Sequence, residues 1–155
     1  SDAKRETFSN WSRTELRRVV QDFFDAAPAR DADADALHRF RIQCKHLRYT
    51  IELIGSAFPA ELQRDAYPRL GALQIRLGEI NDLTMASRYL KRKPADANDS
   101  LPEQPLRALL HACEMRRDAA REEFLALWGD EVREKLSGCL EEMLADREET
   151  CDSLR

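Results

Sequence analysis

Apolar residues recur along most of this chain at steps of three and four, the period of an amphipathic α-helix, and polar or proline-bearing stretches divide the pattern into five segments. The first covers residues 3–25, where Phe8, Trp11, Leu16, Val19, Val20 and Phe23 form an apolar face with Arg13 at its edge. Residues 26–36, AAPARDADADA, are small and acidic and are broken by Pro28, so they read as a linker whose Asp35 caps the next helix. A second helix is predicted over residues 36–57, stopped by Pro59. The third, over 61–90, carries Leu70, Leu73, Leu77, Ile80 and Thr84 at near-heptad spacing, with a bend expected near Pro68. Gly78 costs this helix about 1 kcal/mol relative to alanine, a cost that close approach of a neighbouring helix would offset. Residues 91–105, with three prolines, are expected to form a surface loop that moves, and a fourth helix over 106–128 has Leu106, Leu110, Cys113, Ala120, Phe124 and Trp128 on one face. The last segment starts at Asp130 and places Val132, Leu136, Leu140, Met143 and Leu144 on a charged background, with fraying expected at its end.

No run alternates with the period of a strand. The fold class is therefore all-α, an antiparallel bundle of four to five helices. Residues 1–129 form the main helical domain, and residues 130–155 an acidic amphipathic helix packed on it or extending from it.

One stretch departs from the ordinary two-sided helix. In residues 37–49, LHRFRIQCKHLRY, the cations His38, Arg41, Lys45 and Arg48 recur at steps of three, four and three and so share one face. Leu37, Phe40, Cys44, Leu47, Ile51 and Ile54 flank that stripe on one side, and Ile42, Tyr49 and Leu53 flank it on the other. Only Arg39, Gln43, His46 and Thr50 remain for a solvent face, so the stripe points towards something other than bulk water. On the third helix Gln74, Asn81 and Arg88 recur at steps of seven beside the apolar seam, and could face the same interior. Arg117 falls in the middle of the fourth helix's apolar arc, with Arg121 one turn later at its border.

Like charges at these spacings weaken a helix by roughly 0.2–0.5 kcal/mol per pair. The stripe therefore needs counter-charge. Carboxylates of the chain itself, such as Asp82, Glu79 or Glu52, would make it a structural ionic network; an external polyanion would make it a binding site. From His38 to Arg48 a helix rises about 15 Å, longer than one phosphate group can use. Arginine and lysine suit phosphate oxygens through forked and point-charge contacts, so a linear phosphate chain fits the stripe.

Composition narrows the partner. A formal net charge of −4 argues against a protein that coats nucleic acid with its whole surface. Nine of the acids lie from Asp130 onward against four bases, so the remainder is close to neutral and any anion site is local. Few aromatics stand beside the cations to stack bases, which argues further against nucleic acid. The four cysteines have no metal-ligand spacing and read as reduced core residues. The sequence has no glycine-rich phosphate loop, GxSxG or HExxH, and three scattered histidines do not suggest a metal site. No apolar run nears the eighteen or so residues of a membrane span and no signal peptide is read, so a cytoplasmic location is expected.

The stretch from His38 to Tyr49 resembles the hallmark of the CHAD family, the conserved histidine α-helical domain, whose pattern HxxR(I/V)xxK(K/R)xRY is matched by His38, Arg41, Ile42, Lys45, Leu47, Arg48 and Tyr49, with Glu52 at a position often acidic in the family. A second block similar to the family's LQxxLGxxND follows as Leu73, Gln74, Leu77, Gly78, Asn81 and Asp82. The resemblance implies a helical module that binds inorganic polyphosphate through basic side chains, without chemistry or a cofactor of its own. His38, Arg41, Lys45 and Arg48 would then be phosphate ligands; helical geometry adds Arg117, Arg121, Arg88 and Arg13. Family domains commonly hold two related halves, and this chain carries one stripe, most similar to the C-terminal half. His46 stands where another cation is usual, and Gly71 where lysine or arginine is frequent. A homodimer is therefore expected to bring two stripes to one anion channel. The alternatives are a phosphohydrolase acting on polyphosphate or nucleotides, and a nucleic-acid-binding adaptor.

Overall fold

The computed structural model describes residues 2–58, 60–92 and 102–145, and among these every regular element is helical. Five α-helices follow in order: α1 (Asp2–Asp25), α2 (Ala34–Ile54), α3 (Ala60–Arg92), α4 (Glu103–Leu127) and α5 (Asp130–Leu144), with a 3₁₀ turn over Gly55–Ala57 after α2. The fold is the all-α bundle that the periodicity predicts. The loop expected over 91–105 falls mostly outside the described residues, as does the fraying expected at the C-terminus.

The boundaries follow local chemistry. The N-cap of α2 is Asp33, whose carboxylate accepts from the Ala36 amide at 2.7 Å; Asp35, the expected cap, lies inside the first turn. An N-cap oxygen must reach an amide two or three residues on, and the helix starts two residues earlier than the apolar pattern alone suggests. Pro68 sits within α3. At the other end of α2, the Gln63 amide donates to the Ile51 carbonyl at 3.0 Å, satisfying one acceptor that the helix end leaves open.

The long helix α3, about 50 Å from its 33 residues, is the spine. Helix α2 runs antiparallel along one side, and α1 packs on the far flank of α2. Helices α4 and α5 follow one another along the other side of α3. Arg76 pairs with Glu123 and Lys91 with Glu114, fixing α4 against the C-terminal part of α3. Helix α5 meets its N-terminal part, where Asp65 and Arg69 lie close to Cys139. Helix α5 is no appendage, because Leu136, Leu140 and Met143 belong to the same buried core.

At the centre, Phe40 packs against Phe23 at 4.9 Å, Trp128 at 5.0 Å and Phe124 at 6.2 Å between ring centroids. Three helices and the α4–α5 junction meet there. Cys44 is fully buried beside it and donates to the Leu70 carbonyl. Burial pushes its thiol up to about 12. The folded state therefore keeps a proton that the unfolded chain releases at lower pH, and this contribution to stability falls as pH rises from about 9 towards 12. A thiol reagent at pH 8 should label half-buried Cys113 and Cys139 first and Cys44 only on unfolding; equal labelling rates in the folded protein would contradict this packing.

Two expectations about the core do not hold. Phe8 and Trp11 lie on the spacing of α1's apolar face, yet they are 46% and 52% exposed and pack on each other at 6.0 Å. The buried stripe of α1 instead runs through Ser12, Leu16, Val19, Val20 and Phe23. Nor does Gly78 permit close approach, because a side chain there would meet nothing within 4 Å.

A cationic groove between α2 and α3

Antiparallel packing of α2 on α3 matches each step up one helix with a step down the other. Four contacts fix the register: Arg88 Nη2 donates to Asp35 at 3.1 Å, His38 Nδ1 lies 2.7 Å from Asn81 Oδ1, Arg48 Nη1 donates to Gln74 Oε1 at 3.0 Å, and Tyr67 Oη donates to Glu52 at 3.3 Å. The cations of α2 thus line one wall of a groove. Tyr67, Gln74, Asn81 and Arg88 line the other, each seven residues after the last. A hollow of about 270 Å³ lies at the His38 end, bordered by Asp35, Asn81 and Arg88. Another of about 750 Å³ lies at the Arg48 end, bordered by Tyr67, Gly71, Gln74 and Gly78.

Arg41 and Lys45 stand between these ends. The register puts Gly78 opposite the turn that holds Arg41, so α3 offers no side chain there. Nε of Arg41 is enclosed without a hydrogen-bond partner, and neither Arg41 nor Lys45 has a carboxylate within 4.0 Å among the described residues. Lys45 lies 5.5 Å from the Tyr49 ring centre. Arg48 is held more firmly, 5.0 Å from the Tyr67 ring and 5.8 Å from that of Tyr49. The Tyr67 hydroxyl, reinforced by Glu52, raises its pKa above the ordinary arginine value, so this end of the groove stays charged.

None of the internal carboxylates that could neutralise the stripe lies within 4.0 Å of Arg41, Lys45 or Arg48, although Glu79 and Asp82 border the hollow at the Arg48 end and Glu52 acts on Arg48 through space. Glu79 joins Arg76, Arg116 and Glu123 in an ionic clasp between α3 and α4. Asp82 accepts from the Asn81 amide, and Glu52 from Tyr67.

The structure brings His38, Arg41, Lys45, Arg48 and Arg88 to this groove, although Arg88 is committed to Asp35. It does not bring Arg117, Arg121 or Arg13 there. Helix α4 docks on the opposite side of α3; Arg117 pairs with its neighbour Asp118 at 2.8 Å, and Arg121 donates to the Arg30 carbonyl in the α1–α2 linker. Arg13 is half-buried on α1, which packs on α2 and α5 and has interactions of its own. Tyr67 is the groove residue that the sequence reading missed. Its signal was its place one heptad before Gln74.

The stripe is also more open than its sequence neighbours suggest. Tyr49 and Leu53, expected to flank it as buried residues, are 47% and 78% exposed, and with Ile75, Met85 and Tyr89 they leave apolar surface beside the groove. Among the described residues there is no cluster of three His, Cys, Asp or Glu side chains fit to hold a metal ion, and no helix long and apolar enough to cross a membrane.

The family model of the CHAD domain matches residues 2–91, a span that takes in α1, α2 and nearly all of α3, and with them both walls of the groove. No curated protein and no solved structure matches the chain.

Proposed function

The chain belongs to the CHAD domain family, and from that premise we propose that it is a non-enzymatic binding module for inorganic polyphosphate, acting in the cytoplasm through the α2–α3 groove. One observation carries this reading: Arg41 and Lys45, on the face of α2 that follows the groove, have no carboxylate partner among the described residues, and Glu79 is held in the clasp with α4. Arg41, half-buried without counter-charge, and the exposed Lys45 one turn on favour an anion from outside. Arg41 and Arg48 supply forked donors, Lys45 a mobile point charge, and His38 a ring nitrogen held by Asn81. A phosphate chain offers acceptor oxygens in a line of matching length.

Polyphosphate of graded length, set beside single-stranded DNA, ATP and orthophosphate across a salt series, tests the reading. Affinity should rise with chain length as far as the cationic run extends and fall steeply with salt, because several cations release counterions together. Equal affinity for DNA of matching charge would point to a nucleic-acid adaptor instead. Metal-dependent turnover of polyphosphate or a nucleotide would point to a phosphohydrolase.

A second copy of the chain is part of the proposal. The exposed Tyr49, Leu53, Ile75, Met85 and Tyr89 give it an apolar surface to cover beside the groove, and its own stripe would then reach the same anion. Light scattering should show a dimer with polyphosphate present. A monomer both with and without it would overturn that assembly.

A further inference from the structure

The face of α2 that carries the cations does not end with them. Continued by one turn in each direction it reads Asp35, His38, Arg41, Lys45, Arg48, Glu52, so a carboxylate follows the cations at either end. Asp35 is exposed, borders the hollow at the His38 end and is paired with Arg88. Asp31 and Asp33 precede it in the linker. Glu52 is exposed, and Tyr67 fixes it in line with the stripe at the Arg48 end. Arg64, Gln63 and Pro68 share its hollow, and Asp82 lies on the α3 side.

We infer that Asp35 and Glu52 are specificity-determining end stops, which confine a bound polyphosphate to the segment that fits between them. This inference rests on the polyphosphate reading of the same groove. The cations span about 15 Å of helix, and the two carboxylates stand about 26 Å apart along it. Phosphate units within the cationic run meet Arg41, Lys45 and Arg48. Units that continue past Arg48 meet Glu52, and at physiological salt its repulsion reaches only about 8 Å, so it falls on the units that pass that end. Asp35 acts differently, because its ion pair neutralises Arg88 and holds it back from lengthening the cationic run.

The test is a titration with inorganic polyphosphates of defined length, from triphosphate upward, at ~0.15 M salt. It compares the unaltered chain, Asp35→Asn/Glu52→Gln, each single change, and Glu134→Gln/Glu142→Gln, which removes the same charge from exposed positions of α5. In the unaltered chain, affinity should stop rising once the polyphosphate outgrows the cationic run. In Asp35→Asn/Glu52→Gln it should go on rising and exceed the unaltered chain by about tenfold for long polyphosphates, the worth of roughly two added phosphate contacts, with triphosphate little changed. Each single change should release one end and give part of the gain. Identical length profiles for the double variant and the unaltered chain, or an equal gain from Glu134→Gln/Glu142→Gln, would overturn the end stops while leaving polyphosphate binding intact. Absence of binding at every length would instead overturn the functional reading beneath them.

Discussion

Arg41→Ala/Arg48→Ala should weaken polyphosphate binding by about 100-fold or more. Each guanidinium offers charge-assisted hydrogen bonds worth about 1.5–3 kcal/mol, so the pair accounts for roughly 3–6 kcal/mol of affinity. The fold should lose little. Arg41 has no partner to abandon, and Arg48 gives up one hydrogen bond to Gln74 and its place between Tyr49 and Tyr67, about 1 kcal/mol. Circular dichroism should therefore show unchanged helicity. The outcome that would sink the proposal is collapse of the fold, which would mean that the stripe neutralises internal carboxylates. Arg41→Lys/Arg48→Lys should fall between, because it keeps the charge and loses the fork.

The largest effect on stability should come from Phe40→Ala. Removing a buried phenylalanine costs about 3–5 kcal/mol, and this ring also loses its contacts with Phe23, Trp128 and Phe124. A domain of this size holds about 5–15 kcal/mol in all. The variant should unfold about 6–20 °C earlier, at roughly 2–4 °C per kcal/mol, or fail to fold. Leu53→Ala on the same helix, at a side chain 78% exposed, should stay within about 0.5 kcal/mol. Thermal and urea unfolding of the two variants would separate these cases. A small shift for Phe40→Ala would mean that the aromatic cluster is not the centre of the core.

The elements were legible in the sequence because burial leaves a period, and α2 and α3 carry that period cleanly. What the period specifies is a face, not the neighbour that covers it. Arg117 and Arg121 lie on the arc of α4 that spacing marks, but that arc meets the core from the side opposite the groove. Phe8 and Trp11 fail for a related reason. Spacing places them near α1's buried face, and whether that part of α1 is covered depends on where α2 and α5 end. Within the groove, the four cations were readable from steps of three and four and from the family pattern. Tyr67 was not, because its place beside Arg48 arises from the register between two helices, which neither helix states alone; Asp35 and Glu52 share the face of α2, but their partners Arg88 and Tyr67 come from that same register.

Gly71 and Gly78 sit one heptad apart on the floor of the groove, with open space above each. They are ready-made attachment points. A cysteine at either position has room for a reporter group, and replacing glycine in mid-helix favours the helix by a few tenths of a kcal/mol. A fluorophore or spin label there would look directly at the Arg41 and Arg48 turns, so ligand arrival, its exchange rate and the end from which it enters become observable without altering any cation.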